Sequence, residues 1–310
     1  MARLSARLPA LLTGALLLGL LIFTQAAKDA ARESLTLCAG VLLPSLFPFC
    51  VGMELFGRLG LADALGKRLA TPMRRLFHLP GAAAAALLSG LLGGYPLGAH
   101  MTAALCLGGT LTRQEAATLS RFSNNAGPAF VLGAVGGAVF GSARLGALLW
   151  AIHAASALLT GMLLRGRGTE RRLRTVLEGR TPGSAGSALP EAIEAAAGTM
   201  LRVCGTVVFS TVVLALCCRV LPIGRLPDAL AALIRGAVEL TNGCLALAGL
   251  PLHQAFPLAA LLLGWGGACV HLQALPALSS AGLPIRPYLR AKLLQALLSY
   301  VLAELAVIFL

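Results

Sequence analysis

Apolar stretches long enough to cross a bilayer, parted by short basic clusters, fill most of this chain. A helix needs about 20 predominantly apolar residues to cross the hydrocarbon core. Charged residues are 12% of the sequence and hydrophobic ones 57%, whereas an ordinary soluble domain carries about 25% charge. That balance excludes a soluble globular enzyme, a disordered tail and a coiled coil. Alternating strand patterns are absent, which excludes a β-barrel. An all-α, multi-pass membrane protein remains.

The net charge of +13 has the same explanation. The basic residues lie between apolar runs, where they set topology and meet anionic headgroups. The densest cluster, Arg165, Arg167, Arg171, Arg172, Arg174 and Arg180, has no interleaved aromatics. Nucleic acid is therefore not expected as a partner. The eight cysteines form no CxxC pair, so buried apolar roles are expected rather than metal ligation. No metal and no cofactor are expected. Enzymatic motifs are missing as well: no HExxH, phosphate-binding loop or Ser/His/Asp order stands in a fitting context.

Span 1 is expected over 8–27, uncleaved although Gln25-Ala26-Ala27 is small enough for a signal peptidase. Span 2 follows over 35–56 with two prolines. Residues 59–79 place apolar side chains at helical spacing among Arg58, Lys67, Arg68, Arg74 and Arg75, the pattern of a surface amphipathic helix. Over 81–109 a helix cannot run cleanly through Gly93-Gly94-Tyr95-Pro96, so a re-entrant hairpin is predicted. Asn124-Asn125-Ala126-Gly127-Pro128 predicts a broken helix, and 144–164 a further span.

A basic, then Gly/Ser/Pro-rich stretch, 165–190, reads as a cytoplasmic linker. Beyond it the pattern recurs: a span over 197–221, an amphipathic segment over 226–240, an interrupted stretch over 255–282 around Gly266-Gly267, and a last span over 288–310. Matching Gly93-Gly94 to Gly266-Gly267 aligns the halves. The domains are then an N-terminal helix, 1–33, a first repeat, 34–164, the linker, and a second repeat, 191–310. Placing the basic clusters inside gives the two repeats opposite orientation. Arg286, Arg290 and Lys292 fall outside and run against that assignment.

Inverted repeats with helices broken near the bilayer midplane are the architecture of secondary transporters. Broken helices free backbone N–H and C=O groups that replace the hydration of a polar solute or ion. The residues expected at such a site are Gly94, Tyr95, Gly98, Asn124, Asn125, Glu239, Thr241, Asn242, Gly267, His271 and Gln273. The expected partners are the lipid bilayer, a small polar solute and a coupling ion, Na⁺ or H⁺, with room for a homo-oligomer.

Four motifs, in order, carry a resemblance: Leu43-Pro44-Ser45-Leu46-Phe47-Pro48-Phe49, Gly94-Tyr95-Pro96-Leu97-Gly98-Ala99, Asn124-Asn125-Ala126-Gly127-Pro128 and Glu239-Leu240-Thr241-Asn242-Gly243. Over about 34–310 the chain resembles the YlbJ family of sporulation integral membrane proteins. That family belongs with the nucleoside-recognition (Gate) domain proteins of endospore-forming bacteria. The resemblance implies a bacterial cell-membrane location and a role in spore cortex formation. It also implies a fold like that of concentrative nucleoside transporters, with inverted repeats, two re-entrant hairpins and two broken helices. Those transporters hold the base with a Gln-Thr-Glu motif in the first hairpin; here Gly94-Tyr95-Pro96-Leu97-Gly98 offers neither carboxylate nor amide. The alternative function is a non-transporting scaffold that recruits cortex-synthesis partners.

Overall fold

The computed structural model describes residues 2–166 and 185–310. Among these there is no strand, and four helices are long and apolar enough to cross a membrane: Thr24–Arg58, Ala143–Leu163, Ser187–Val220 and Leu252–Ser280. Arg167, Arg171, Arg172, Arg174 and Arg180 lie outside the described residues.

Helix α1 (Ala2–Ile22) breaks at Phe23, and α2 (Thr24–Leu37) runs through a π-helical turn into α3 (Leu43–Arg58). The stretches expected as spans 1 and 2 are thus joined by a kink, and the apolar helix Leu8–Ile22 is shorter than the four spanning candidates. Gln25, Lys28, Asp29 and Arg32 are tolerated because α2 continues helically, with Gln25 donating to Asp29 at 2.9 Å. The amphipathic stretch forms two short helices, α4 (Leu61–Arg68) and α5 (Ala70–Phe77). Met73 and Phe77 are buried, and Phe77 stacks on Phe122 with ring centroids 4.8 Å apart.

The predicted interruption is present. Helix α6 (Ala83–Leu88) and a π-helical turn end at Gly94, whose φ of +87° suits glycine. A cis Tyr95–Pro96 bond leads into α7 (Leu97–Leu107), which packs back on α6. Thr112 and Glu115 form a capping box that starts α8 (Arg113–Ser123). Asn124 is extended and the chain is non-helical through Gly127 before a π-helical segment, Ala129–Gly137, and α9 (Ala143–Leu163).

Helix α10 (Ala185–Val220) begins inside the stretch expected as linker, because Ala188 and Ala192 already bury against the bundle. The second half then departs from the expected pairing. The amphipathic segment expected over 226–240 is helical and also forms one arm of a helix pair: α11 (Asp228–Val238) turns at Glu239 into α12 (Leu240–Leu245), and the two pack together. Gly236 and Gly243 face each other there with no room for a Cβ on Gly243. Gly90 and Gly98 do the same between the arms of the first pair. Small residues at both crossings let the backbones approach.

Helices α13 (Leu252–Trp265) and α14 (Gly267–Ser280) meet at Gly266, with φ of +90° and +77° at Gly266 and Gly267. They do not fold onto each other as a hairpin. Helix α13 lies along α15 (Ile285–Val307), and α14 lies against α7 and α10. Glu239 thus stands at the tip of the second helix pair, as Gly94–Pro96 does at the first, while Gly266-Gly267, like Asn124–Gly127, separates two helices that do not pair. Glycine pairs recur in both kinds of element, so local composition alone could not separate them.

Candidate functional site

The chain breaks of both halves meet. The first pair's tip touches the first broken helix, where a Cβ on Gly94 would lie 3.0 Å from Gly127 N. The second pair's tip touches the second broken helix, where a Cβ on Gly267 would lie 2.9 Å from Gly236 O and 3.1 Å from Leu240 N. Between them is a cavity of about 50 Å³ lined by Gly94, Tyr95, Gly127, Glu239, Thr241 and Gln273, with apolar residues of α3 and α10. Tyr95 crosses from one half to the other and donates its hydroxyl to Leu263 O at 2.6 Å.

Glu239 is 1% exposed. Its two oxygens accept from Thr241 N at 3.1 Å and Asn242 N at 2.7 Å, capping α12. Charge-assisted acceptance at a helix N-terminus is what stabilises a buried carboxylate. Asn242 turns away from the cavity and donates to Thr211 at 3.0 Å.

Asn124, Asn125 and His271 are brought together, but behind the cavity. Asn124 Nδ2 donates to the Tyr288 hydroxyl at 3.2 Å, and that hydroxyl bonds His271 Nδ1 at 3.1 Å. Asn125 Nδ2 donates to Phe122 O at 2.8 Å, which ties down the end of α8. Asn125 Oδ1 accepts from Gln295 Nε2 at 2.9 Å. Lys292 Nζ donates to Gln295 Oε1 at 2.6 Å and to Asn124 O at 2.9 Å. His153 Nε2 accepts from Ala126 N at 3.0 Å, so α9 also holds the break. Asn124, Asn125, His153, Lys292 and Gln295 are all fully buried. Among the described residues, Asn124 Oδ1, His153 Nδ1 and His271 Nε2 have no hydrogen-bond partner. Buried polar atoms are almost always paired in proteins, so three orphans around one cluster mark it as polar beyond structural need.

Lys292, Gln295, Tyr288 and His153 were missed in the sequence. The sequence places Lys292 outside with Arg286 and Arg290. It is buried on the bundle side of α15, while Glu304 is exposed. The readable signal was the spacing of Tyr288, Lys292, Gln295 and Ser299, which puts four polar groups on one helical stripe. Gly98 and Gly267 serve packing, as described above. Replacing Tyr288 with Phe strands Asn124 Nδ2 and His271 Nδ1 together. A loss of about 2 kcal/mol is expected, read as a lower melting temperature in detergent; unchanged melting would show the cluster to be slack.

Gln273 also lines a wider cavity of about 690 Å³ with Pro96, His100 and Arg202. His100 Nε2 and Gln273 O lie 3.4 Å apart, so the two residues are neighbours. Arg202, midway along α10, lines a further cavity of about 560 Å³ that reaches Glu54, Arg58 and Glu191. Arg58 is ion-paired to Glu191 there.

Residues 39–144, from the π-helical turn before α3 through the first helix pair and the first broken helix, match the family model described as Gate, nucleoside recognition. The chain is 28% identical over 322 aligned positions to the sporulation integral membrane protein YlbJ of Bacillus subtilis (strain 168), covering 91% of this chain and 78% of that protein. No solved structure matches. The motif resemblance and these matches agree: the chain is an integral membrane protein, similar along nearly its whole length to YlbJ and over residues 39–144 to the nucleoside-recognition (Gate) family.

Proposed function

We propose that this chain binds or translocates a small polar solute through a transporter-like core of two inverted repeats, and that it serves spore cortex formation. The observation that supports this reading is the cavity between the chain breaks of both halves, with Gly94 and Tyr95 on one side and Glu239, Thr241 and Gln273 on the other. Two helix pairs whose tips abut broken helices are the elements from which such cores place solutes at the midplane. The re-entrant placement of α6–α7 and α11–α12 belongs to the same proposal.

At about 50 Å³ the cavity matches one or two waters, since a water occupies about 30 Å³. A solute therefore enters only when the helix pairs separate. In this reading the solute reaches it through the 690 Å³ cavity that shares Gln273. A coupling ion, Na⁺ or H⁺, would move with it. The test is uptake of labelled candidate solutes into proteoliposomes by wild type, Asn125→Ala and Glu239→Gln. Loss of at least roughly tenfold is expected for each, because each disturbs a break. Uptake equal to wild type in both would remove these residues from the mechanism.

A further inference from the structure

Lys292 is fully buried and, among the described residues, makes no ion pair with a carboxylate. A buried lysine without an acid is costly unless other groups replace its hydration. Here two oxygens do so: the main-chain carbonyl of Asn124, 2.9 Å away, and Gln295 Oε1, 2.6 Å away. The Tyr95 ring covers the remaining side, with its centroid 5.6 Å from Nζ.

The arrangement is held from behind. Gln295 Nε2 is bound to Asn125 Oδ1, which fixes the amide so that its oxygen faces the ammonium. Asn124 is the residue just past the end of α8, so its carbonyl sits at the negative end of a half-helix. Asn124 Oδ1 stands by without a partner among the described residues. A freed carbonyl at a half-helix C-terminus, with amide oxygens around it, is the donor set that holds Na⁺ in broken-helix transporters. Every donor atom is a hard oxygen and none is anionic, which suits a monovalent rather than a divalent cation.

We propose that the Lys292 ammonium is a tethered cation filling a monovalent-cation site at the first helix break, so that no free metal ion is required there and H⁺ is left as the coupling ion of the transport reading. The inference uses the same site as the transport reading but does not depend on flux, because its test reads stability.

The full chain, purified in detergent, is melted in NaCl, LiCl, KCl and choline chloride at equal ionic strength. Wild type is expected to melt at one temperature in all four. Lys292→Ala is expected to melt lower in choline and to regain about 3 °C or more in methylammonium or Na⁺, small cations that fit the space left by the side chain. Lys292→Met fills that space and is expected to gain nothing. A wild type stabilised by Na⁺ over choline would overturn the proposal. So would a Lys292→Ala protein indifferent to small cations, or one matched in its gain by Lys292→Met. If Lys292→Ala cannot be isolated in choline, its recovery only in methylammonium supports the site. Should it be recovered in neither salt, Lys292→Arg decides: it keeps a cation and is expected to fold, and its failure counts against the proposal.

Discussion

Gly98→Ala is expected to cost about 3 kcal/mol, at the upper end of what overpacking usually does. The carbonyl of Ser123 sits between Gly90 and Gly98, touching the position a Cβ would take on either. The Ser123 carbonyl carbon lies 2.7 Å from that position on Gly98 and 2.8 Å from that on Gly90. Neither obstacle is a side chain that can swing aside; both are backbone. To admit a methyl group, α8 must shift, and Asn124 and Asn125 shift with it. Gly205→Ala is the matched control: it lies inside α10 with nothing within 4 Å of its Cβ position. There the change is expected to be neutral or to gain about 0.5 kcal/mol from the lower helical cost of alanine. Melting both variants beside wild type settles the matter. Equal melting of Gly98→Ala and wild type would mean that the contact is not tight in the folded protein.

Glu239→Ala is expected to lose a comparable amount for a different reason. Its carboxylate accepts two buried N–H groups, from Thr241 and Asn242, and Cys269 Sγ lies 3.7 Å from it. Alanine leaves both N–H groups without an acceptor at the start of α12. Losing a cap costs about 1 kcal/mol, and stranding a buried donor about 1–3 kcal/mol more. Glu239→Gln keeps one acceptor oxygen and is expected to fall in between. The pair of variants separates the cap from the charge. If stability follows the cap while uptake is lost in both, the charge itself serves the solute. A Glu239→Ala protein as stable as wild type would show that the capping bonds contribute little.

The breaks themselves were legible, because Gly-Gly-Tyr-Pro and Asn-Asn-Ala-Gly-Pro forbid an unbroken helix whatever surrounds them. So was the first half's order of span, amphipathic segment, interrupted pair and broken helix. The second half misled for a physical reason. Asp228 and Arg235 give α11 the polarity of a surface helix, and only its contact with α12 through Gly236 and Gly243 reveals a paired arm. The site was legible on the backbone side, at Gly94, Tyr95, Glu239 and Gln273. Its far wall was not, since a lone Lys292 between Arg290 and a leucine run looks like an interfacial anchor. Whether a lysine snorkels or turns inward depends on which face its helix buries. That is settled by α8 and α9 packing on α15, a tertiary fact.

The ammonium of Lys292 also belongs to the second half by sequence, while the carbonyl that holds it belongs to the first. Under the proposed transport reading, a movement of α15 along the membrane normal would carry that positive charge across part of the membrane's voltage drop. A full crossing is worth about 2.3 kcal/mol per 100 mV. An inside-negative potential would then favour the conformation with α15 closer to the cytoplasm, so that under the same reading voltage would bias the core.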